Sequence, residues 1–199
     1  MAEMVEKSPE DDDAGAFAAV VYTPKQTDKS ALPAFVRRLK SEQVSVAGIL
    51  QESRLEGGAE TRTIDSVDIR TGRRIAIKRP MASEDECGLD VASLVETSAI
   101  LRGALQSHPD LVVIEKFGDQ EQEGEGLLDE IMKIIAEGIP LMITIPEPAL
   151  EIWQRQCGGL GAVLPYSEDA MRAWWLGLSK GLGPIDAGNV DPVRSEGVK

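Results

Sequence analysis

The chain has 199 residues, 42% of them hydrophobic, with 34 acidic against 21 basic side chains and a formal net charge of -13. This length and apolar content suit one domain with a sizeable core, while the charge argues against a nucleic-acid partner, whose phosphates demand clustered Lys and Arg. A single histidine, His108, excludes a histidine-based triad and a multi-histidine metal site, and two cysteines, Cys87 and Cys157, without CxxC spacing suggest neither a disulfide framework nor a zinc site.

No stretch approaches 18 uninterrupted apolar residues, so no membrane insertion is expected. The first residues are acidic and lack the apolar core of a signal peptide, which points to a cytoplasmic protein. Residues 1–15, with Glu3, Glu6, Glu10 and Asp11 to Asp13 against Lys7, read as a disordered terminus. Phe17 to Tyr22 is a short apolar run that fits a buried strand. Thr23 to Ser30 (TPKQTDKS) reads as a loop, and Leu32, Phe35, Val36 and Leu39 then recur at helical spacing, with Pro33 tolerated in the first turn. Val44 to Gln51, rich in β-branched residues, predicts the next strand, reached through a helix as a parallel βαβ unit requires.

Glu52 to Glu60, with Gly57 and Gly58, predicts a loop. Thr63 to Ile69 and Arg74 to Ile77 flank the turn signal Thr71-Gly72 and predict a hairpin. After an irregular acidic stretch, Met81 to Gly88, Asp90 is a good cap for a helix ending near Gln106 that carries Val91, Leu94, Val95, Leu101 and Leu105 on one stripe. Leu111 to Ile114 shows no polar alternation and reads as a central strand covered on both faces. Beyond it, Leu127, Leu128, Ile131, Met132 and Ile135 mark a helix closed by Gly138, and Pro140 to Ile145 a further strand broken by Pro146 and Pro148. A short helix with Leu150 and Trp153, a brief strand Ala162 to Leu164 and a helix capped by Ser167 and bearing Trp174 and Trp175 complete the order. From residue 180 the composition predicts a flexible tail. The alternation of strand and helix over residues 16–179 gives a three-layer α/β domain with about five mostly parallel strands and an inserted β-hairpin.

In such sheets functional groups collect at the carboxyl ends of the strands. Glu115 and Lys116 fall there, followed by Asp119, Glu121, Glu123 and Glu125. An acidic loop is ordinarily just a solvated surface. Glu115 differs, because a carboxylate directly after a buried strand is costly to place without a partner.

The runs AAVVY and ALPAFVRRLKSEQVSVAGILQ, then ETRTIDSVDIRTGRRIAI, CGLD, DLVVIEKFGDQEQEGEGL and GIPLMITI lie within residues 17–165. In order and spacing they resemble the thermostable nucleoside-triphosphatase family of P-loop proteins. They resemble more closely a related bacterial domain-of-unknown-function family encoded near molybdenum ABC transporters. The resemblance implies a P-loop NTPase-like fold and a phosphate loop at Thr23 to Ser30. In an intact GxxxxGK[ST] loop, backbone N–H groups wrap the phosphates, Lys reaches them and Ser or Thr holds magnesium.

Here Lys29 and Ser30 are present, but Thr23 and Asp28 stand where the glycines belong. An Asp in the left-handed conformation costs only about 1 kcal/mol. Its carboxylate beside a triphosphate is worse: like unit charges about 4 Å apart repel by about 4 kcal/mol at an effective dielectric near 20. The loop therefore reads as degenerate. By the same resemblance Glu115 stands where P-loop enzymes keep the acid that orients magnesium or its water, with Ser30 as the other metal ligand. Glu121 matches an acid that polarises the attacking water, and Arg54 an arginine near the site, the alternative being a surface residue. Lys116 departs from a pair of consecutive acids and is open to pairing with Glu115. Cys87 matches a family cysteine before Leu-Asp; a small buried residue is the plainer alternative to a soft-metal ligand.

The resemblance thus implies an accessory protein with a degenerate phosphate loop. It would bind a nucleotide phosphate or a molybdate-type oxyanion and work with molybdenum-transport or molybdoenzyme proteins. The alternatives are a magnesium-dependent nucleoside triphosphatase and a non-catalytic adaptor docking through its acidic surface or the Trp174-Trp175 face; the plainer role for those tryptophans is to cover the domain's own core. A sheet edge or the hairpin offers a route to a homodimer, with no residue pattern that compels it.

Overall fold

The computed structural model describes residues 16–55, 62–78 and 91–181. The expectations for residues 1–15, Gly57, Gly58, residues 81–88, Cys87 and Asp90, and for the chain beyond 181, lie outside the described residues. The elements run β1 (Phe17–Tyr22), α1 (Ala31–Ser41), β2 (Val46–Leu55), β3 (Arg62–Asp68), β4 (Arg74–Lys78), α2 (Val91–Ser107), β5 (Leu111–Ile114), α3 (Asp119–Gln122), α4 (Leu128–Ala136), β6 (Leu141–Pro146), α5 (Leu150–Gln156), β7 (Ala162–Pro165) and α6 (Glu168–Gly181).

All seven strands join one sheet in the order β4-β3-β2-β5-β6-β1-β7. Five of them, β2, β5, β6, β1 and β7, are parallel; β3 and β4 add on antiparallel at the β2 edge. The inserted hairpin is therefore part of the main sheet, and with the five parallel strands it brings the total to seven. Alternation along each central strand sends side chains to opposite faces. Ala19, Ile49, Val112, Ile114, Leu141 and Ile143 meet Leu101 of α2, Ile131 and Ile134 of α4 and Trp153 of α5. Val20, Val46, Leu111, Val113 and Met142 meet Leu32, Phe35, Val36 and Leu39 of α1 and Met171 and Trp175 of α6. These are the three layers.

Two expectations need correcting. β2 continues to Leu55, through residues read as loop, because Glu52 to Leu55 pair with β3. A short helix, α3, interrupts the acidic loop after β5. Trp175 is buried and Trp174 packs against the same core, so the paired tryptophans cover the domain itself. Ser167 does cap α6, its Oγ accepting the Ala170 N–H at 3.2 Å.

Gly48 sits inside β2 at φ +113°, and a Cβ there would lie 2.0 Å from the Val113 carbonyl oxygen. Only glycine lets β2 approach β5 this closely. On the face of the sheet opposite α1, the buried Glu130 of α4 accepts hydrogen bonds from Ser98 Oγ (2.7 Å) and Arg102 Nε (3.1 Å), tying α4 to α2.

Candidate functional site

The carboxyl ends of β1, β5 and β6 lie side by side in the sheet, and the groups that follow them face one small cleft. Its walls are Tyr22, Lys29, Gln51, Glu115, Lys116, Thr144 and Tyr166, around about 10 Å³ of free space, room for about one water molecule.

Glu115 forms the floor. Its N–H donates to the Ile49 carbonyl at 2.9 Å, continuing the β2–β5 ladder by one step, and its Oε2 accepts the Gln51 N–H at 2.7 Å. The side chain is 7% exposed. Burial pushes its pKa above the ordinary carboxylate value, a shift opposed by the Gln51 N–H and by the charge of Lys29.

After Glu115 the chain turns sharply. Lys116 adopts φ +75°, in the left-handed region that non-glycine residues seldom enter. The turn is held by Thr144 at the end of β6, whose Oγ1 accepts the Lys116 N–H at 2.7 Å and whose carbonyl accepts the Phe117 N–H at 2.8 Å. With its backbone pinned in this way, Lys116 presents an exposed side chain at the rim.

Two tyrosines form the opposite wall. Tyr22 ends β1 and packs edge-to-face on Tyr166, which follows β7, with ring centroids 6.2 Å apart. The Lys29 ammonium rests over the Tyr22 ring, 4.5 Å from its centroid, a cation–π contact. Tyr166 donates its hydroxyl hydrogen to the Lys29 carbonyl at 2.7 Å, strapping the loop between β1 and α1 to the segment that follows β7. Burial, and next the negative charge of Glu115, pushes Tyr166 up to about 12 and raises Tyr22 in the same sense.

Of the residues singled out from sequence, Lys29, Glu115 and Lys116 share the cleft. Thr23, Asp28 and Ser30 lie on the loop between β1 and α1, exposed and outside the cleft's lining. Among the described residues, non-glycine positive φ values occur at Gln43, His108 and Lys116, so Asp28 does not take the left-handed conformation considered for it. Its Oδ1 accepts the Ser30 N–H at 2.9 Å, and hydrogen bonds from the Ser30 hydroxyl and then its N–H hold the Asp28 carboxyl below its usual range. The loop thus spends on its own carboxylate the donor an anion would seek. Arg54 pairs with Thr63 in the hairpin part of β2; its side chain falls outside the described residues.

Glu121 is turned away from the cleft. One oxygen accepts the Gly118 N–H at 2.8 Å and the other the Leu127 N–H at 2.9 Å, so this buried carboxylate closes the loop across α3. Sequence reasoning missed Tyr22, Gln51, Thr144 and Tyr166 as parts of the site. Each lies at or just after the carboxyl half of a strand, and scanning every strand end for polar and aromatic groups would have found them.

Residues 17–174 match the model of a family described as "Protein of unknown function (DUF2478)". The chain is 34% identical over 168 residues to the Molybdenum import ATP-binding protein ModC 2 of Bradyrhizobium diazoefficiens, covering 84% of this chain. It spans 19% of the length of that curated relative. The fold is similar to that of THEP1 from the hyperthermophile Aquifex aeolicus, with a TM-score of 0.59 at 14% identity, over 84% of this chain and 99% of that one.

Proposed function

The chain belongs to the family described as protein of unknown function (DUF2478), and from that membership we propose that it is an anion-binding accessory domain of P-loop-like fold, taking a nucleotide phosphate or a molybdate-type oxyanion. The observation that carries this reading is the convergence of Lys29 and Lys116 on one cleft at the carboxyl edge of the sheet. Their charges stand out in a chain of net charge -13. Cleft position in an open α/β sheet supports a ligand site, and paired ammonium groups suit an oxyanion.

The name of the relative, a molybdenum import ATP-binding protein, supports both ligand classes and a role beside molybdenum-transport proteins. Lys29 would leave the Tyr22 ring to meet the anion, since the cleft around it holds only about 10 Å³. Binding rather than hydrolysis is the favoured activity, because both oxygens of Glu121 serve backbone N–H groups and neither is left to polarise a water. Calorimetric titration with ATP, GTP, molybdate and tungstate tests the reading. Saturable heat with at least one, lost in Lys29→Ala, is the expected result. Flat traces with all four would overturn it.

A further inference from the structure

A P-loop-like fold implies magnesium beside the phosphate, and the side chains here do not fit that ion. Magnesium demands octahedral oxygen ligands and usually one or two free carboxylates. One Glu115 oxygen is committed to the Gln51 N–H. Ser30, the expected partner ligand, lies outside the cleft's lining and gives its N–H and hydroxyl to Asp28. Among the described residues no three His, Cys, Asp or Glu side chains cluster closely enough to hold a metal ion. The other charged groups at the cleft are the cations Lys29 and Lys116, which would repel a metal ion and attract the ligand that metal would have neutralised.

The backbone at Lys116 adds a second, independent observation. Its φ of +75° would suit glycine, yet a long cationic side chain occupies the position, with two N–H bonds to Thr144 fixing the turn. Strain of this kind persists where the surrounding structure enforces it, and it clusters at ligand sites.

We propose that Lys116 takes the place of the divalent cation, so that the cleft holds a dianion between the Lys29 and Lys116 ammonium groups without magnesium. This rests on the anion-binding reading above and assigns Lys116 as the residue that sets metal independence. Two ammonium charges match a tetrahedral dianion such as molybdate, or the terminal phosphate of a nucleotide; the two probes are titrated separately.

The experiment titrates molybdate and ATP into the full chain, in magnesium and in EDTA, alongside Lys116→Gly and Lys116→Arg. Glycine relieves the left-handed strain while removing the ammonium, so its melting temperature should equal or exceed that of the parent and its folding is checked by the same scan. The expected result is equal affinity in the two buffers, a loss of at least about tenfold in Lys116→Gly, and retention within about threefold in Lys116→Arg. Binding that requires magnesium, or a Lys116→Gly variant that binds as tightly as the parent, overturns the inference and leaves the anion-binding reading intact. No heat with either probe in either buffer overturns the inference, and the anion-binding reading falls with it where GTP and tungstate give flat traces as well.

Discussion

At Glu115 the cost of burying a carboxylate and the use made of it meet in one side chain. Its pKa is raised above the ordinary 4.5, first by burial, so the folded chain holds the proton over a window of pH in which the unfolded chain has released it. Stability therefore falls as pH rises through that window. Glu115→Gln keeps an oxygen for the Gln51 N–H and carries no charge. The variant should melt above the parent at neutral pH, with the gap closing on acidification below 4.5; a gap of the opposite sign in a thermal scan would show that Lys29 and Gln51 outweigh desolvation. Glu130 runs the other way. Burial alone would raise it, but Ser98 and Arg102 more than offset this and hold it below the usual range, so its contribution is present above 4.5 and lost as pH falls through the folded value. Glu115 was legible in the sequence because a carboxylate after four apolar residues is conspicuous. The tyrosine wall was not, since Tyr22 and Tyr166 meet only through strand pairing of β1 with β7, a contact no local pattern encodes.

Between residue and fold, two elements depend on single positions. The segment from Gly118 to Leu127 closes on the Glu121 carboxylate, and Glu121→Ala leaves two backbone N–H groups without their acceptor. Each charge-assisted bond lost is worth about 1.5–3 kcal/mol, so urea denaturation should show a loss of about 3–6 kcal/mol. The Gly118 and Leu127 amides should also exchange faster; unchanged exchange would mean another group closes the loop. In β2, Gly48→Ala drives a methyl into the Val113 carbonyl at a left-handed φ, and a loss of about 3 kcal/mol or more is expected in the same assay. The elements themselves were largely legible, because apolar runs and helical spacing register burial directly. β1, α1 and β5 fall where periodicity puts them. The misses are cases where distant partners decide: Glu52 to Leu55 are polar enough to read as loop and become strand only because β3 folds back on them. α3 forms four residues of helix around a carboxylate that caps it, a local hydrogen bond with no apolar signature.

At the scale of the whole molecule, chain order and sheet order are crossed. β1, the first strand made, lies between β6 and β7, near the end of the chain; Phe17 pairs with Leu141 and Ala18 with Ala162. The core on the α1 side is completed by Met171 and Trp175 of α6, and Phe17 packs edge-to-face on Trp153 of α5. A chain cut after Gly159 would retain β6 but leave one edge of β1 bare and uncover Val20, Phe35 and Val36. Each large apolar side chain returned to water costs about 1.5–3 kcal/mol, and losing Met171 and Trp175 with part of the cover over their neighbours costs about 5 kcal/mol or more. That is comparable to the whole stability of a typical domain, about 5–15 kcal/mol. The truncated chain is therefore expected to lose its cooperative melt and its near-UV signal from Trp153, with the Lys29 strap lost alongside Tyr166. Because Lys29 is held from the β7–α6 junction, a truncation that still melted cooperatively would separate folding from the site: it should then bind molybdate more weakly than the full chain, and equal binding would show that the Tyr166 strap contributes nothing to the position of Lys29.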